Sequence, residues 1–132
     1  MTESTTKEPT PSRRIVEEVP SRRIVEEATS WPGVTAGQGS RGELSLRLGR
    51  RELGHLHGSR TAHFAFPKPV WTRLKDEGRI DYHPVFPGRV GMAARRIESD
   101  HDVRDVMALL RLNYERVVSQ HGLPEPAAPV RS

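Results

Sequence analysis

Residues 42–66 read GELSLRLGRRELGHLHGSRTAHFAF, and the spacing of apolar side chains in this stretch decides the fold. Leu44, Leu46 and Leu48 alternate with Glu43, Ser45 and Arg47, so one face of a strand is buried and the other is wet. Gly49-Arg50-Arg51 reads as a turn, and a second strand is expected over Glu52–His57. Gly58-Ser59 has the chemistry of a two-residue hairpin turn, with glycine supplying the positive φ. A third strand is expected over Thr61–Phe66, with Phe64 and Phe66 on one side. These three strands form an antiparallel meander.

The elements on either side are helical. Pro67-Lys68-Pro69 opens a short helix with Val70, Trp71 and Leu74 as its apolar stripe, and Gly78 stops it. Ile80–Phe86 reads as an extended segment ending in Pro87-Gly88, and Met92–Ile97 as a further strand. Ser99 is the expected N-cap of the last helix, with Asp102 in the position of a capping-box acid. Val103, Val106, Met107, Leu110, Tyr114 and Val117 then hold a 3.6-residue period until Gly122 and Pro124. Upstream, PSRRIVEEV at 11–19 is repeated almost identically as PSRRIVEEA at 20–28, the mark of a short tandem duplication. In the second copy Ile24, Val25, Ala28 and Trp31 share a helical face capped by Ser21, whereas Pro20 interrupts the pattern of the first copy. The expected class is α+β: an antiparallel meander of three to five strands packed by a long C-terminal helix and two shorter helices. Residues 1–20 are expected to be a disordered tail, 21–123 the folded domain, and 124–132 a second disordered tail.

Composition removes several function classes. The 132 residues contain no cysteine, which excludes disulfides, thiolate metal sites and thiol nucleophiles. No apolar run approaches the ~20 residues of a membrane span, and the N-terminus lacks the apolar core of a signal peptide. No membrane partner and a cytoplasmic location are expected. Residues 31–123 carry 15 basic and 10 acidic side chains, so the positive excess lies in the folded part. Arginines are spread along the chain without a run of ~5–8 basic residues, so a solvated arginine surface is the main reading and nucleic acid is not the expected partner.

The candidate chemistry is histidine chemistry. His55 and His57 point to one face of a strand, so their imidazoles can converge. With a two-residue turn at Gly58-Ser59 they share the face of Phe64 and Phe66, and His63 points away. With a three-residue loop Gly58–Arg60, His55 pairs with His63 and three histidines cluster, the arrangement a metal site would need. Turn chemistry favours the first. On that register the two histidines line an apolar pocket bounded by Phe64 or Phe66 and approached by the loop HPVFPG at 83–88, with Phe86 as a further ligand-binding candidate. No metal and no cofactor are expected. Glu52 and Asp81 are single carboxylates without a visible partner, and Gly37-Gln38-Gly39-Ser40 reads as a flexible loop.

Four segments together carry a resemblance: RELGHLHG at 51–58, AHFAFPKPVW at 62–71, GRIDYHPVFPG at 78–88 and LLRLNYERV at 109–117. This string, spanning about residues 24–122, resembles the small bacterial proteins that carry a luciferase-type domain. It departs from their pattern where Gly91-Met92 stands in place of Gly-Trp. The resemblance implies a small α+β domain. It also implies His55, His57 and His83 as catalytic candidates, acting as general base and as hydrogen-bond donor to an oxyanion. The family takes its name from fungal luciferase, which oxidises a hydroxylated pyrone with molecular oxygen. A small aromatic ligand, and a cofactor-free oxygen-using enzyme, are the functions this implies. The alternative from another class is a non-catalytic module that binds nucleic acid or protein through arginines. The oligomeric state has no signature in the sequence.

Overall fold

In the computed structural model, the described residues 20–124 form three helices and one six-stranded antiparallel sheet. The expectations for residues 1–19 and 125–132, including the first copy of the repeat, lie outside the described residues. In chain order the elements are α1 (Pro20–Thr29), β1 (Val34–Gln38), β2 (Leu44–Leu48), β3 (Arg51–His57) and β4 (Thr61–Ala65). They are followed by α2 (Lys68–Asp76), β5 (Asp81–Tyr82), β6 (Met92–Arg96) and α3 (Asp100–His121). The sheet order is β1-β2-β3-β4-β6-β5, so the first four strands are the meander and β6 slots between β4 and the short edge strand β5.

The α+β class and the long C-terminal helix stand as expected, with six strands rather than three to five. The added strand upstream is β1. Its burial pattern has only Val34 inside, so an apolar alternation is missing and the sequence gives no strand signal there. It forms because Leu44, Leu46 and Leu48 of β2 leave a row of backbone groups that Val34–Gln38 pairs in register. Gly37 and Gln38, read from sequence as part of a flexible loop, belong to this strand. α1 begins at Pro20, one residue before the expected Ser21 cap, and buries Ile24 and Ala28 as its stripe demands.

One face of the sheet is packed by the helices. Leu46, Leu48, Leu56, Ala62, Phe64 and Ala93 meet Val103, Val106, Leu109, Leu110, Tyr114 and Val117 of α3 in a single core that also takes in Ile24, Trp31, Trp71 and Leu74. Gly54 lets α3 come close: a Cβ there would stand 2.9 Å from Leu110 Cδ2 and 3.0 Å from Phe64 Cδ1. Asn113 is the one polar side chain of α3 in this layer. Its Nδ2 donates to the carbonyls of Leu53 (3.0 Å) and Ala65 (3.2 Å), which β-bridging leaves free, and it takes the helix to β3 and β4 at once. Tyr114 donates to the Pro32 carbonyl at 2.8 Å and fixes the corner after α1. α3 starts as expected, with Ser99 Oγ accepting from the Asp102 amide. The Asp102 carboxylate accepts from the Glu98 amide and pairs with Arg95 at 2.6 Å rather than closing on the cap residue itself. Arg95 and Arg79 also hold Asp105, so the edge beside β6 is tied to α3 by a charged network.

A candidate site on the outer face of the sheet

β2 and β3 are offset by one residue: Leu46 pairs with Gly54, but Arg47 pairs with Glu52, so Leu53 is an extra residue on β3. In a regular strand, residues three apart point to opposite faces. The bulge at Leu53 turns Glu52 to the same outer face as His55. Glu52 Oε2 then lies 3.1 Å from His55 Nδ1 and accepts from Ser45 Oγ at 2.8 Å. Ser45 is the β2 residue paired with His55.

The β3–β4 hairpin corrects the expected register. His55 pairs with His63, Leu56 with Ala62 and His57 with Thr61, so the loop is Gly58–Arg60 and not a two-residue turn at Gly58-Ser59. The reason is burial. The observed register puts Leu56, Ala62 and Phe64 together on the helix side and all three histidines outside. A slip by one residue would set His63 beside Leu56 in the core. Turn chemistry contributes less than the placement of a buried leucine and phenylalanine. As a consequence, Phe64 and Phe66, expected to share the face of His55 and His57, lie in the core, stacked on each other at 5.3 Å between centroids. The expected pocket between these phenylalanines and the two histidines is therefore replaced by a histidine cluster on the opposite face.

Four imidazoles gather there. Ring centroids are 5.2 Å apart for His55 and His57, 5.1 Å for His55 and His63, and 4.6 Å for His57 and His63. His83 caps the group at 4.0 Å from His63, with Phe86 against its other side at 5.3 Å. The HPVFPG loop thus covers one edge of the cluster. Its own shape depends on His83 Nδ1, which accepts the Val85 amide at 3.1 Å. His63 and His83 are 6% and 7% exposed, whereas His57 is open to solvent.

Electrostatics set the protonation. The Glu52 carboxylate is held below its ordinary range, chiefly by the hydrogen bond from His55 and then, against burial, by Ser45. The carboxylate can only accept, so His55 Nδ1 donates to it, and His55 Nε2 lies 3.3 Å from His63 Nδ1. Burial, and then the neighbouring imidazoles, push His63 down to about 4, so it is neutral near pH 7. His83 is lowered by the same causes. His63 Nε2 is buried and has no hydrogen-bond partner among the described residues.

Beside the cluster runs an open cleft of about 600 Å³, lined by Thr61, Ile80, Tyr82, Pro84, Ala94 and Arg96 among others. Thr61 pairs with His57 and Ala94 with His63, so the cleft begins one strand position from the imidazoles. None of the four histidines lines it. Sequence reasoning brought His63 into the cluster only on the less favoured loop Gly58–Arg60, read Glu52 as a carboxylate without a partner, and missed Ser45. The usable signal was the alternation of Leu56, Ala62 and Phe64 against His55, His57 and His63, which fixes the register before any turn is considered.

A family model described as Luciferase domain matches residues 50–113, from the start of β3 to Asn113 in α3. Over that stretch, which is narrower than the span of the motifs, the chain is similar to the luciferase-domain family and carries all four clustered histidines. No curated protein and no solved structure matches the chain.

Proposed function

We propose that the outer-face histidine cluster and its adjoining cleft bind a small, flat, acidic aromatic molecule such as an enol or a phenol. The observation that carries this is the cluster itself: four imidazoles held together beside a cleft, with a buried ring nitrogen at His63 that has no partner among the described residues. A ligand hydroxyl donates to a histidine lone pair, and the exposed face of Phe86 or Tyr82 covers the ring. The similarity to the luciferase domain adds molecular oxygen as the co-substrate of the deprotonated ligand. The chain's part in that reaction is to take up the ligand's proton at the cluster. The site residues in this reading are His55, His57, His83 and Phe86, joined by His63. Phe64 and Phe66 shape the sheet from behind and do not touch the ligand.

The test is a protein-observed NMR screen of hydroxypyrones and phenols against the wild type and the His55→Ala/His57→Ala double variant. Shifts near residues 55, 57, 63, 83 and 86 in the wild type, absent in the variant, are expected. Binding unchanged by the variant overturns the reading. Oxygen uptake by the protein with a bound ligand, followed at an electrode, separates catalysis from binding alone. Among the described residues the arginine-surface alternative has no clustered feature comparable to the histidines behind it, and five of the fifteen arginines there, Arg23, Arg79, Arg95, Arg96 and Arg111, are paired with a carboxylate of this chain.

A further inference from the structure

We propose that His55, His57 and His63 form a site for one divalent transition-metal ion of the zinc class, with Glu52 and Ser45 as its outer support. This deepens the small-molecule reading and rests on the same cluster: with an ion in place, a deprotonated ligand oxygen meets the metal instead of an imidazole.

Three observations carry it. The first is convergence: each of the three histidines offers a ring nitrogen, and these atoms all lie within 4.8 Å of one another. Two nitrogens bound at ~2.0–2.1 Å to a tetrahedral ion stand about 3.3 Å apart, and His55 Nε2 lies 3.3 Å from His63 Nδ1. Without an ion this contact is at the long end for an N–H···N bond.

The second is the carboxylate behind His55. A metal-binding imidazole usually donates its other N–H to a carboxylate, which fixes the tautomer and aims the lone pair. Glu52 does this for His55 at 3.1 Å, and Ser45 in turn holds Glu52 at 2.8 Å. The bulge at Leu53 brings this acid round to the histidine face.

The third is the donor set. Three imidazoles with no thiolate and no carboxylate in the inner set suit zinc, copper or nickel over magnesium or calcium. Three protein ligands leave a fourth tetrahedral position for water or a ligand oxygen, as in reactive rather than purely structural sites. His57 is solvent-exposed, so an ion can enter from the outer face without the sheet opening. His83 is a wall of the site: it stands outside the converging set of three, and its Nδ1 accepts from the Val85 amide.

The experiment uses the full chain without a histidine tag, stripped with a chelator and dialysed, and titrated with Zn2+ alone by calorimetry. One equivalent bound per chain is expected. His57→Ala should weaken binding by more than tenfold, and Glu52→Gln by about 10–100-fold. His121→Ala, a distant exposed histidine, should leave it unchanged. In the wild type, ring 15N resonances of His55, His57 and His63 should move on Zn2+ addition while those of His101 and His121 stay. This second readout does not depend on any variant folding. Saturable binding that survives His57→Ala, or ring shifts confined to other histidines, overturns the proposal, as does the absence of binding. The ligand screen repeated in chelator-treated protein separates the two readings: ligand shifts without metal binding sink the ion alone, and metal binding without ligand shifts sinks the ligand alone.

Discussion

The two faces of the sheet are built to different rules. The inner face, against α3, is specified by size: Gly54 admits Leu110, Phe64 lies beside both, and each buried polar group of Asn113 has a named partner. Among the described residues no helix lies over the outer face, which is specified by donor type. It buries His63 with one ring nitrogen that has no partner among the described residues and holds a glutamate beside a histidine. Shape complementarity stabilises the fold, and the unsatisfied polar groups on the other side are where the chain can still form new bonds.

If that division is right, the largest stability effects come from the inner face. Leu110→Ala should cost about 2–5 kcal/mol by chemical denaturation, the range for a fully buried leucine. Gly54→Ala should follow at about 1–3 kcal/mol, because the new methyl overpacks Leu110 and Phe64. The two share one space, so the double variant should be less destabilised than the sum of the singles. Strict additivity would mean that α3 does not approach the sheet as described.

A smaller effect is expected at the charged border between the faces. Burial raises the Asp102 pKa, but the Glu98 amide and the Arg95 guanidinium outweigh it and leave the carboxyl below its ordinary value of 3.8. The unfolded chain therefore takes up this proton first, and the Asp102 contribution is complete above pH 3.8 and lost as pH falls further toward the folded-state value. Urea melts across that range should show a shallower acid loss for Asp102→Asn than for the wild type. The smallest effect belongs to the outer face: His57→Ala should change stability by no more than about 0.5 kcal/mol, as for an exposed side chain away from the core. A cost as large as that of Gly54→Ala would erase the distinction between the faces.

The inner face was the legible one. The leucine alternation at 44–48 and the stripe of Val103, Val106, Leu110, Tyr114 and Val117 are burial patterns, and burial leaves its period in the sequence. Asn113 escaped because a polar residue inside a stripe reads as an interruption until the carbonyls it satisfies are known. β1 escaped because its partner supplies most of its reason to be extended. On the outer face, His55, His57 and His83 were visible as residue types and their company was not. Which of them meet depends on one hairpin register and one bulge, and both are settled by what lies on the far side of the sheet.

The bulge at Leu53 also has a hereditary meaning. With Leu53 present, Glu52 and His55 stand three residues apart, and only the bulge puts them on one face. Loss of the single codon for Leu53 would leave Glu-Gly-His, and a strand without a bulge already puts that glutamate and that histidine on one face. The bulge and its residue can thus vanish together in one in-frame deletion while the acid–histidine pair is inherited. A search for functional members among related sequences should accept a step of two residues, as well as three, between that glutamate and that histidine.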